Sequence, residues 1–193
     1  MACQGLCGTG RRRKSTLFKS LIILYNQPFF GNAFLEKIFQ DKGAFTMQEK
    51  KQSESNALLD YIAKNCEMGK SAMKQLFPVI RDQSFKRLVE SQYREYDEIY
   101  DLAAKELKSN GEEASAVNPA AKLSSYVMIR MNAGKETSDE EMAKLMFKGS
   151  STGIAEITKH LNHLNDAQPQ VRKLADRLLA FEQRNVEELK PYL

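Results

Sequence analysis

From Ser53 onward the apolar residues of this chain recur every three or four positions, the repeat that gathers one face of an α-helix. Leu59, Ile62, Cys66, Gly69, Met73 and Leu76 predict a first long helix over roughly residues 55–76, which Pro78 ends or kinks. Asp82 offers an N-cap to a second, whose stripe is Phe85, Leu88, Val89, Gln92, Tyr96, Ile99, Ala103 and Leu107 and which stops at Asn110-Gly111. A polar stretch, residues 112–118, leads through Pro119 into a shorter helix ending near Met131, with Asn132-Ala133-Gly134 as its breaker. Ser138 and Glu141 have the spacing of a capping box and open a third long helix on Met142, Leu145, Met146, Gly149, Gly153, Ile157, His160 and Leu164. Asn165-Asp166 and Pro169 then open the last, on Val171, Leu174, Ala175, Leu178, Glu182, Asn185, Val186 and Leu189.

The links between the first two long helices and between the last two are tight, which forces antiparallel neighbours. The middle connection is long enough to cross a bundle. The expected fold is therefore all-α, an up-down four-helix bundle with one long crossover containing a short extra helix, the ferritin-like topology. Composition agrees, since the segment after Met47 is rich in Ala, Leu, Lys, Glu, Gln and Met, all good helix formers. No run of about 18 apolar residues exists to cross a membrane.

Charge divides the chain in two. Residues 1–46 carry seven basic and two acidic side chains, net +5, whereas the remainder carries 22 basic and 23 acidic, net −1. A globally basic nucleic-acid binder is not indicated, because the excess sits in one piece. Within that piece, GLCGTGRRRKST imitates a phosphate loop, but Arg11 follows Gly10 where the lysine belongs and Lys14-Ser15 comes three residues late. RRRK before LFKSLIILY imitates a secretory signal, but Lys19 interrupts the apolar stretch and no small-residue cleavage site follows. The expectation is that residues 1–46 form a disordered or non-native extension and residues 47–193 the bundle, with translation starting at Met47. Three observations motivate it: the charge break, the loss of apolar periodicity upstream, and a Lys-Gly-Ala that a bacterial ribosome-binding sequence can encode. Three cysteines, Cys3, Cys7 and Cys66, are too few for a disulfide framework and point to a reducing cytoplasm.

One position in the stripes breaks the apolar rule. Glu182 falls at the centre of the last helix's inner face, although glutamate is almost never buried without a partner. Counting turns from a common end of the bundle places Asn65, Cys66 and Gly69 of the first helix, Gln92, Glu95 and Tyr96 of the second, and Gly149 and Gly153 of the third near its level. The expected arrangement is a buried polar layer of Glu182, Tyr96, Gln92, Asn65 and Glu95, with the carboxylate satisfied by Tyr96, Gln92 or Asn65 and the glycines leaving room for helix approach.

Through this topology and the phrases MAKLMFKGSSTGIAEITKHLN and LLAFEQRNVEELKPYL, residues 47–193 resemble the ferritin-like bundles, in particular small bacterial members related to spore-coat-type proteins. For metal-bearing members the resemblance implies a glutamate from each of two helices and Glu-x-x-His from the other two. The sequence departs from that set: Glu67 points away from the stripe, the second helix offers Glu95-x-x-Glu98, the third glycines, the last Glu182-x-x-Asn185, and Glu-x-x-His occurs nowhere. Metal ligands, if any, come from Glu95, Glu98, Glu156, His160 and Glu182, with Glu156 and His160 one turn apart. The expectations are thus no catalytic residues, no cofactor, and a non-enzymatic cytoplasmic or spore-associated bundle acting by self-association or with a protein partner, without membrane or nucleic acid. The alternative is a divergent redox or storage bundle holding iron or manganese.

Overall fold

The computed structural model describes the backbone of residues 32–116 and 138–193, with side chains from residue 45 onward. Among the described residues the regular structure is helical: α1 (Asn32–Leu76), α2 (Gln83–Ser109), α3 (Asp139–His163), α4 (Pro169–Leu189) and a closing 3-10 turn, Lys190–Tyr192. The short helix expected at residues 119–131 and its breaker lie outside the described residues. The chain divides into two compact units, Met1–Met47 and Gln48–Leu193, and the bundle is the second.

The helix ends follow their sequence signals. The Asp82 carboxylate accepts from the Phe85 amide at 2.7 Å, Ser138 and Glu141 close a reciprocal capping box at α3, and Gly111 adopts the left-handed φ of 76° just past α2. The start of α1 differs from expectation. Residues 48–54 contain no apolar side chain, yet Gln, Glu and Lys keep the backbone helical, so α1 begins at Asn32 and runs through Met47. The apolar stripe marks where this helix becomes buried, and its loss upstream is no loss of helix.

Polar ties at the two ends fix the helix directions. At one end the Asp166 and Gln168 amides donate to Glu54 Oε2 (2.7 Å) and Ser55 Oγ (2.9 Å). At that same end Asn110 Nδ2 donates to Asn56 Oδ1 (2.8 Å) and the Ser115 amide to Asp60 Oδ1 (2.7 Å). At the other end the Asp139 carboxylate accepts from the Arg81 and Asp82 amides at 3.1 and 2.6 Å. Residue 116 and residue 138 therefore lie at opposite ends, α2 and α3 run parallel, and the order is up, down, down, up.

The core is apolar along most of its length, with Leu58, Leu59, Ile62, Phe85, Ile99, Met142, Ile157 and Leu178 wholly buried. Each such side chain contributes about 1.5–3 kcal/mol through loss of water contact. The inward face of α3 is Met142, Ala143, Met146, Ser150, Gly153, Ile157 and Leu161. Gly149 is exposed, and Leu145, His160 and Leu164 are only half-buried, so the predicted stripe was rotated by about one residue. In α4, Phe181 joins the core beside Glu182.

Candidate functional site

Halfway along the bundle the apolar packing gives way to a polar layer. Glu182 is 1% exposed, Asn185 0%, Gln92 2%, Tyr96 5% and Ser150 5%, and Cys66 is also fully buried. The Tyr96 hydroxyl donates to Glu182 Oε1 at 2.8 Å and its ring stands edge-on to Phe181, with centroids 4.7 Å apart. Two glycines make this possible. A methyl group at Gly153 would sit 2.8 Å from Glu182 Oε1 and 3.2 Å from Asn65 Nδ2, and one at Gly69 would sit 2.8 Å from the Tyr96 ring. Gly149, assigned by turn counting to this level, has open space around it and takes no part; Ser150 occupies the place instead.

Burial dominates the electrostatics. It raises the Glu182 carboxyl to about 7, against the opposing influence of the nearby polar groups of Ser150, Tyr96 and Asn185, of which Tyr96 is the one that donates a hydrogen bond to it. Burial likewise drives the Tyr96 hydroxyl well above its ordinary value, with the Glu182 charge adding to the effect. The Cys66 thiol is pushed up for the same two reasons, which makes it a core side chain and not a nucleophile. Four buried polar atoms in the layer have no hydrogen-bond partner: Glu182 Oε2, Gln92 Oε1, and both Oδ1 and Nδ2 of Asn185.

The remaining candidate residues do not converge on Glu182. Gln92 directs its amide toward Glu188 Oε2 at 3.5 Å and Asn65 donates to Tyr61 at 3.4 Å, so neither supplies the donor expected of it. Glu95, expected in the buried layer, lies half-buried on the α2/α4 flank. There Arg177 Nε donates to Glu95 Oε1 and Arg177 Nη2 to Glu98 Oε2, each at 2.9 Å. Glu156 is exposed near Lys159 at 3.8 Å. His160 lies against the Tyr61 ring with centroids 4.1 Å apart, and partial burial lowers its affinity for a proton. Among the described residues no group of three or more His, Cys, Asp or Glu comes together to hold a metal ion. The donor set does not fit the paired-carboxylate site that the resemblance implies, since among the described residues Glu182 is the one buried carboxylate, Glu95 and Glu98 are held by Arg177, and Glu156 is exposed.

Ser150 and Asn185 are the buried polar neighbours of Glu182 that turn counting missed. The signal for Ser150 was present, because Met146, Ser150, Gly153 and Ile157 continue the four-three-four spacing without a break.

No family model matches the sequence, and no curated protein matches it. Three solved structures do match the fold. Dps92 from Deinococcus radiodurans superposes with a TM-score of 0.60 at 11% identity, covering 74% of this chain and 87% of that one. Dps from Thermosynechococcus elongatus gives 0.56 at 15% identity, covering 76% and 94%. The fold is a ferritin-like four-helix bundle. A DUF305 fragment from Deinococcus radiodurans has the same architecture, at 0.59 and 11% identity over 72% and 93% of the two chains. At these identities the likeness is one of fold alone. Among the described residues no helix is long and apolar enough to cross a membrane.

Proposed function

We propose that this ferritin-like bundle is non-enzymatic and works by associating with a second copy of itself through the α2/α4 flank, in the bacterial cytoplasmic or spore setting that the sequence resemblance suggests. The observation that carries the reading is a groove of about 290 Å³ on that flank. Leu59 and Val171 form its floor, Leu174 and Leu102 line it, and Leu102 is 45% exposed although it is a large apolar side chain in mid-helix. Glu106 and Lys173 border the same groove, and among the described residues neither is engaged in an ion pair. One unpaired anion and one unpaired cation beside an apolar strip make a self-complementary patch. A two-fold axis sets Glu106 of each copy against Lys173 of the other.

Sedimentation equilibrium tests this. Wild type is expected to dimerise, Leu102→Asp and Glu106→Lys to shift the protein to monomer, and Glu106→Lys combined with Lys173→Glu to recover the dimer. A monomer at every accessible wild-type concentration overturns the reading. The iron or manganese alternative gains nothing from the donor set around Glu182. Stoichiometric metal in the isolated protein, lost in Glu182→Gln, would restore it.

A further inference from the structure

The polar layer is short of donors. Three buried oxygens, Glu182 Oε2, Gln92 Oε1 and Asn185 Oδ1, lack a hydrogen, and the single unpartnered donor among them is Asn185 Nδ2. The Tyr96 proton is already committed to Glu182 Oε1. Among the described residues no cation pairs with the carboxylate. The nearby arginine, Arg177, is taken by Glu95 and Glu98, and Lys70 is paired with Asp97 at 2.5 Å and lies over the Tyr100 ring.

We propose that Glu182 is a proton switch built into the bundle: a proton on Oε2 supplies the donor that the layer lacks, and its loss leaves an uncompensated buried carboxylate that loosens the helices around it. Every group that faces Glu182 leaves this balance intact near neutrality. From α1 come Tyr61 and Cys66, both raised and so neutral, and Asn65, which does not titrate and whose amide donates to Tyr61. From α2 comes Tyr96, raised by burial. From α3 come Ser150 and Gly153, and from α4 Asn185, none of them titratable. The charged pairs Lys70–Asp97 and Arg177–Glu95/Glu98 and the Glu188 carboxylate stand around this shell.

The carboxyl moves from 4.5 to about 7 on folding, so the folded form holds the proton more tightly than the unfolded chain. The sign follows. The stabilisation is complete below the lower value and is lost as pH rises through the upper one, with the folding equilibrium constant falling by up to about tenfold per pH unit in between. His160 acts in the opposite sense, because its depressed value makes the folded form bind its proton less. A difference between two variants removes that background.

Urea unfolding of the full chain from pH 5 to pH 8 is the test, run on wild type and on Glu182→Gln, whose amide supplies a permanent donor in the same shape. The stability of Glu182→Gln relative to wild type is expected to rise across pH 5–7.5 and to exceed wild type at pH 8. A relative stability that does not change with pH overturns the proposal. Infrared difference spectra of the folded wild-type protein give a second reading, valid even where the variant fails to fold. A protonated-carboxyl band lost on going from pH 6 to pH 8 supports the switch, and its absence at pH 6 overturns it.

Discussion

Two groups of glutamates meet α4 within two turns of each other, and they have opposite fates. On the flank, Glu95 and Glu98 are 26% and 67% exposed and share the Arg177 guanidinium. In the interior, Glu182 accepts a hydrogen bond from the Tyr96 hydroxyl, pairs with no cation among the described residues and is 1% exposed. The flank charges are screened by solvent and cost little to maintain, and their attraction is worth correspondingly little. The interior charge has no such screening, so the side chain takes up a proton more readily than an ordinary carboxyl does. Position relative to solvent, not residue type, decides whether a glutamate in this bundle is an ion-pair partner or a proton acceptor.

Removing the interior donor gives the largest expected effect. Tyr96→Phe keeps the ring against Phe181 and the space beside Gly69 but deletes the bond to Glu182, and it is expected to cost about 2–3 kcal/mol at pH 8. The tyrosine favours the ionised form, so the cost shrinks toward pH 5, where the acid is neutral. Chemical denaturation at both pH values checks this. An equal cost at the two would mean that the hydroxyl does not distinguish the ionised carboxylate from the neutral acid.

The glycines of α3 sharpen the same contrast between inside and outside. Gly153→Ala gains about 1 kcal/mol of helix propensity, but overpacking against Glu182 costs about 1–3 kcal/mol, for an expected net loss. Gly149→Ala meets nothing within 4 Å and is expected to stabilise by about 0.5–1 kcal/mol. Opposite signs in thermal unfolding of the two variants support this packing of the layer. A stabilised Gly153→Ala would show that Glu182 can move aside.

What the sequence disclosed and what it hid follow from range. The inner faces of α2 and α4, and the burial of Glu182, were legible because a helix displays its own periodicity locally. The bond from Tyr96 spans 86 positions and was inferred from level counting, which succeeds when each helix is straight and its end is correctly placed. On α3 the same counting slipped by one residue and selected Gly149 over Ser150. The capture of Glu95 by Arg177 was not legible, since 82 positions separate them and Arg177 has no mark of its own in the stripe. The early start of α1 was hidden because residues 48–54 carry no apolar side chain, which breaks the stripe while leaving residues that tolerate the helical conformation.

The flank supplies the smallest effect and the cleanest control. Arg177→Met keeps much of the aliphatic stem that borders the Leu59–Val171 groove while deleting the charge shared by Glu95 and Glu98. The expected loss is about 0.5 kcal/mol at low salt, vanishing as ionic strength shortens the screening length. Glu182→Gln should show no such salt dependence, because its environment excludes the ions that do the screening. Denaturation of both variants at low and high salt separates the two. A salt-insensitive Arg177→Met penalty well above 1 kcal/mol would place Glu95 and Glu98 in a drier setting than their exposure implies, and would erase the distinction between the flank and the core.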